Sequence, residues 1–382
     1  MNRLLFIALL GLWSARLVAS PEPIAATQTL TRSYEVDPAT MLEIQNQHGA
    51  IHVYTRDNTA VFLEVSLTAW GTTEEKAQAR LDQIDVRERT FGTNIQWETE
   101  IRDASAAWVN DQIEVVYRLY LPASHPLALT QRHGHIFLQG RTANVDLDLR
   151  YGSLTSGKLE GAGNRIKLAF AEGEVLYLQG GDLDLSASGL EIQTAGTLYL
   201  RGQAAKVALD SVAELDLVCH LGEVRIGSVG RLLGEYSATQ VTVAQLYDEV
   251  VLTGSYAPAL EIGEIAPRAR QVDLQGTATG FRVGLAPETA FELDASLKHG
   301  ELHTEGVAGS LEAEVGDNRN ERFYRLAPSA MSRTATAPVN IRIRNRFGNV
   351  RLSQDQEPVY EEADYQGEEI EVWGEEFEPE SD

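Results

Sequence analysis

Residues 132–140 read Arg-His-Gly-His-Ile-Phe-Leu-Gln-Gly, two histidines around a glycine at the head of a short apolar run. Either His133-Gly134-His135 is half of a metal site, or it is a bend in something repetitive. The glycine belongs to a recurring phrase: any residue, Gly, any residue, aliphatic, any residue, usually aliphatic. It stands at His48-Gly49-Ala50-Ile51-His52-Val53 and, in shorter form, at Tyr151-Gly152-Ser153-Leu154 and Glu172-Gly173-Glu174-Val175. Later copies begin at Ala195-Gly196, Leu221-Gly222, His299-Gly300 and Phe347-Gly348. Tyr247-Asp248-Glu249-Val250 is a degenerate copy in which Asp, which tolerates left-handed backbone, replaces the glycine.

The spacing decides between the readings. After Gly134 the phrase returns at Gly152, Gly173, Gly196 and Gly222, in gradually widening steps that suit a solenoid. Inside one step, alternating apolar pairs start near Val175, Leu183, Leu190, Leu198, Val207, Leu215 and Val224, with small residues between the earlier ones. Three short strands per coil predict an all-β fold, a three-sided parallel β-helix. Leu183 and Leu185 then point inward and Asp182 and Asp184 outward, as in Val145-Asp146-Leu147-Asp148-Leu149. His48, His133 and His299 share a position that elsewhere holds Tyr, Phe, Leu, Glu or Ala, a range that suits a corner and not a ligand. His48/His52 and His299/His303 lie four residues apart, about 13 Å on a strand, too far to share one zinc ion. Histidines of adjacent coils can still meet. The motif is read as a bend, and no metal ligand is assigned.

Four segments follow. Residues 1–20 form a secretory leader, with Arg3 ahead of apolar Leu4–Trp13 and a cleavage point between 19 and 26. Residues 27–120 form an N-terminal β region with a helix near 73–85, opened by Thr72 or Thr73 and expected to cap the solenoid end. Residues 121–353 form the solenoid. Residues 354–382 form an acidic tail with 13 Asp and Glu and no Lys or Arg, more than half of the chain's net charge of −24. It is expected to be disordered, although Tyr360, Tyr365, Trp373 and Phe377 among the acids also fit a linear motif for a basic partner.

Such acidity argues against nucleic-acid binding, and no internal run approaches a membrane span. With Cys219 the single cysteine, no intramolecular disulfide exists and packing must hold the fold. Cys219 is expected to be a buried thiol, with His220 pointing to the opposite face of the strand.

The leader, LEIQNQHGAIHV (42–53), LTAWGTTEEKAQARLDQIDV (67–86), YRLYLP (117–122) and HGHIFLQG (133–140) together resemble a bacterial β-solenoid family named for adhesins and related to autotransporter-adhesin head domains. The resemblance covers roughly residues 40–310. It implies a β-helix and export, and it implies no catalytic residues.

Function is expected to be non-enzymatic: adhesin-like binding of a protein or glycan, or a structural role in the envelope. The location would be periplasm, cell surface or medium. Self-association along the solenoid is open, as is a periplasmic role through the acidic tail. The alternative is a polysaccharide-acting enzyme, for which outward Asp146, Asp148, Asp182, Asp184 and Asp216 would supply carboxylates. A third idea, calcium on these aspartates, rests on GGDLDLS (180–186), which resembles half of a calcium-binding repeat but occurs once. No catalytic, cofactor-binding or metal residue is assigned, and no cofactor is expected.

Overall fold

A computed structural model describes residues 23–57, 60–102, 112–307, 309–316, 320–328 and 337–354. The expected leader and the acidic stretch beyond Gln354 lie outside the described residues. The chain divides at Leu209/Asp210 into two compact units. Among the described residues nearly everything is strand, with one helix, and no helix is long and apolar enough to cross a membrane.

The first unit opens with β1 (Ile24–Glu35), β2 (Leu42–Thr55), β3 (Ala60–Gly71), α1 (Glu74–Leu81), β4 (Ile84–Phe91) and β5 (Asn94–Ile101). It continues with β6 (Ile113–Leu121), β7 (Leu127–Leu138), β8 (Val145–Leu159), β9 (Asn164–Ser186) and β10 (Gly189–Gln203); β11 (Lys206–His220) spans the boundary. β2, β7, β8, β9 and β10 pair in parallel, each on the next. Their register places Ile44, Leu129, Leu147 and Ile166 on one inward row, every one of them buried. Each such aliphatic contributes about 2 kcal/mol on leaving water, which is how a chain without disulfides holds its layers. Around this ladder, β1–β3, β3–β6 and β4–β5 are antiparallel.

The helix forms where the sequence placed it, although it is shorter. Thr73 caps it by accepting from the Lys76 N–H, Glu74 and Glu75 fill the first turn, and Ala77 and Leu81 are its buried residues. It packs on β3 and β1. Gly71 is required there, since a Cβ would sit 2.5 Å from the Ala77 nitrogen.

Corners come where the backbone turns left-handed. In this unit the left-handed residues other than glycine are His48, His133, Tyr151, Phe170, Ala187 and Ala204, all at φ near +50° to +60°. From His133 onward they recur at nearly equal intervals. Gly173 and Gly196, expected as corners in β9 and β10, do not follow a left-handed residue, and neither does Asp248 in β13 (Gln240–Ser255). The left-handed residues thus replace the widening steps expected from the glycines, because their spacing stays nearly constant where glycine spacing does not. Glycine is only one filler of the place after the left-handed residue. Gly134 and Gly152 occupy it where a Cβ would sit 1.7 Å from a carbonyl oxygen of the neighbouring strand, and Ala171, Ser188 and Ala205 occupy it further along.

The second unit contains β12 (Glu223–Ser237), β13, β14 (Leu260–Ile265), β15 (Gln271–Thr277), β16 (Phe281–Leu285) and β17 (Phe291–Lys298). After them come β18 (Leu302–Glu305), β19 (Gly309–Val315), β20 (Glu321–Pro328), β21 (Val339–Arg346) and β22 (Val350–Gln354). Here sequence order and spatial order part company. β21 pairs in parallel with both β15 and β17, and β22 with both β16 and β18. The last strands thus insert between earlier ones, and β17 turns its other edge to antiparallel β20, which pairs in turn with β19.

Candidate functional site

Outward positions of the first unit gather rings. Phe62 on β3, Tyr120 on β6, Tyr54 and His52 on β2, and Phe137 on β7 occupy one face of four adjacent strands. Each follows a buried aliphatic neighbour, so strand alternation turns the ring outward: Val61 before Phe62, Ile51 before His52, Val53 before Tyr54, Leu119 before Tyr120, Ile136 before Phe137. The ring centroids form an unbroken chain. Phe62–Tyr120 is 5.9 Å, Tyr120–Tyr54 5.0 Å, Tyr54–Phe137 5.9 Å, Phe137–His52 6.1 Å and His52–Tyr54 6.2 Å. All five are half-buried, each presenting part of its ring to solvent.

Polar groups border the rings. The Arg118 guanidinium donates to Glu64 at 2.9 Å and to Ser66 at 3.2 Å, and Arg56 lies over the Tyr120 ring at 4.1 Å. Gln139 accepts from the Thr55 N–H at 2.8 Å, and His135 meets Ser153 at 2.6 Å. Burial, then the charges of Arg118 and His135, push the His52 imidazole below its ordinary value. Burial and the neighbouring Tyr120 push the Tyr54 phenol up. At neutral pH His52 therefore presents a neutral imidazole and Tyr54 a neutral phenol, beside an arginine whose charge Glu64 offsets.

The opening motif sits at the edge of this face. His48, His133, Tyr151 and Phe170 stack nearly parallel, with centroids 5.0, 4.9 and 5.2 Å apart. Histidines of paired strands do meet, as rungs of a stack continued by carbocyclic rings. In the second unit His299 stacks on Phe347 at 4.8 Å. Among the described residues, no three His, Cys, Asp or Glu side chains gather to hold a metal ion.

The outward aspartates face cations in part. Asp146 pairs with Arg165 at 3.1 Å, Asp148 with Arg150 at 3.3 Å, and Asp184 lies opposite Arg201 in the register. Asp182 lies opposite Tyr199, and Asp216 is exposed in the second unit. Cys219 is buried, its thiol pushed up by that burial, while His220 is exposed and bonds Ser237. The thiol and the imidazole point apart, as strand geometry requires.

Sequence reasoning weighed the histidines one by one and missed the platform. The signal was there as aliphatic-aromatic-aliphatic triplets at 61–63, 119–121 and 136–138. Which triplets become neighbours depends on pairings between distant segments, such as Tyr54 with Tyr120 and Phe62 with Tyr120.

No protein-family model matches the chain, and no curated protein matches it in sequence. Solved structures give faint likenesses. A candidate cell adhesion protein of Clostridium sporogenes is 8% identical with a TM-score of 0.21, over 86% of this chain and 100% of that one. A candidate adhesin of Bacteroides fragilis is 9% identical at 0.27, over 86% and 97%. Another, of Parabacteroides merdae, is 8% identical at 0.32, over 85% and 96%. At such identities and scores these likenesses establish neither a family nor a task.

Proposed function

We propose that this is an exported, non-enzymatic binding protein built as a parallel β-helix, and that the platform from Phe62 to Phe137 holds a short glycan. The β-helix reading is supported by the in-register parallel ladder and by left-handed corners returning at nearly equal intervals over most of it. Export is supported by Arg3 and the apolar run Leu4–Trp13.

One observation carries the glycan: five contiguous half-exposed rings on one sheet face, bordered by Arg118, Glu64 and Gln139. Sugar rings offer C–H faces to aromatic rings and hydroxyls to the polar border. Size separates this reading from protein binding. Three strand spacings of about 4.8 Å and a two-residue run of about 6.8 Å define on the order of 100 Å². A standard protein interface needs about 800 Å² per partner. The platform is an oligosaccharide's size.

A glycan array probed with the full chain tests this, followed by titration of hits against Tyr54→Ala and Phe137→Ala. Each variant should weaken binding at least tenfold while keeping the wild-type circular dichroism spectrum. Folded protein that binds no glycan, or hits indifferent to both substitutions, would overturn the reading. Turnover of a bound glycan would overturn its non-enzymatic part.

A further inference from the structure

Within a strongly acidic chain, one outward row of the second unit carries unneutralised positive charge. β21 presents Arg342, Arg344 and Arg346 at alternate positions, all exposed. Their neighbours differ from row to row. Arg342 lies between Asp273 and Asp294 in the register, with Arg325 beyond, so charge alternates across four strands. Arg344 lies between Gln275 and Ser296, and Arg346 between Thr277 and Lys298. Among the described residues, Arg344, Arg346 and Lys298 form no ion pair, and the one carboxylate beside them in register is Glu321, opposite Lys298. Exposed Phe347 adjoins the row, with the Arg346 guanidinium 5.1 Å from its ring centroid.

We propose that this row is the docking site of the protein's own acidic segment, residues 355–382, with Glu369 and Glu371 set on Arg344 and Arg346. Complementarity is the first argument: all 13 acids counted from Gln354 onward lie in this segment, which has no Lys or Arg. The second is spacing. Glu369-Ile370-Glu371-Val372-Trp373 alternates, so in an extended backbone its two glutamates project about 7 Å apart on one side, the separation of Arg344 and Arg346 on β21. Trp373 falls on the same side as the glutamates and brings a ring towards Phe347.

Reach is the third argument. The ten residues from Arg344 to Gln354 can separate those two by at most about 35 Å, while the fifteen from Gln354 to Glu369 reach up to about 50 Å. Single exposed ion pairs are weak. Tethering raises the local concentration of the segment to about the millimolar range, which favours it over free polyanions. This inference stands apart from the glycan platform, which lies in the other unit.

The test is cleavage of the full chain by a glutamate-specific protease, with cuts within 355–382 read by mass spectrometry. Rates are taken relative to a free peptide of the same residues. Cleavage should be several-fold slower at about 0.01 M than at about 1 M salt, where the screening length falls from about 30 Å to about 3 Å. Arg344→Glu with Arg346→Glu should abolish the low-salt protection, and adding Glu369→Lys with Glu371→Lys should restore it. Arg344→Gln with Arg346→Gln replaces the reversal if circular dichroism finds it unfolded. Equal relative cleavage at both salt concentrations would overturn the proposal. So would protection that survives loss of both arginines, or protection that grows with protein concentration, which would place the segment on a second copy.

Discussion

His133 shows how little room one residue has at a corner of this fold. Its φ of 55° is left-handed, and the next residue, Gly134, would place a Cβ 1.7 Å from the Gly49 carbonyl oxygen in the strand beneath. No side chain fits that gap. Gly134→Ala should therefore cost about 2–4 kcal/mol, measured by chemical denaturation, because backbone and not a flexible side chain must yield. A substitution there that proved neutral would mean that the strands are not stacked in this register. Leu147→Ala tests the opposite fault, a cavity in the buried inward row, and should cost about 2–5 kcal/mol. Histidine itself is not demanded at the corner, since Tyr151 and Phe170 take the same conformation in the next coils. The sequence made the bend legible because that glycine recurs. The places filled by Ala171 and Ala205 stay outside the glycine phrase, whereas Ser188-Gly189 is one of the small-residue breaks between apolar pairs, and Ser188 there donates to the Ser186 carbonyl at 2.8 Å.

Among the elements, the ring stack of His48, His133, Tyr151 and Phe170 is the part that pH should reach. Burial, and then the charge of His133, hold the His48 imidazole below its ordinary value of 6.5. His52, on the same strand, is depressed as well. The unfolded chain therefore takes up protons before the folded one as pH falls below about 6.5, and stability drops as it does so. Thermal melts between about pH 7 and pH 5 should show this loss. His48→Phe, which copies the rung at Phe170, should reduce it. An unchanged slope in that variant would remove His48 as the source. The platform beside the stack was half legible: alternation fixes which rings point outward, but not which outward rings meet.

For whole units, strand order was the least legible feature. A repeating sequence predicts that each strand pairs with its predecessor, and β7 to β10 do. β21 and β22 instead return from the far end of the described chain to lie between older strands. Because β21 pairs with both β15 and β17, Ile343→Asp should lower amide-exchange protection in both neighbours together. Loss confined to β17 would contradict the inserted position.

By itself, the sequence determined the all-β class and the face that side chains take along its alternating strands, because the period-two alternation of buried and outward residues is written locally. It also determined the buried thiol at Cys219 and a helix opened by Thr72 or Thr73, of which the structure uses Thr73. Tertiary structure alone decided which strands are neighbours, and with them the ring platform and the uncompensated arginine row. The physical reason is that parallel pairing joins residues one coil or many coils apart with the same hydrogen bonds. Local pattern fixes a residue's face, while only the competition among all such pairings fixes its neighbour.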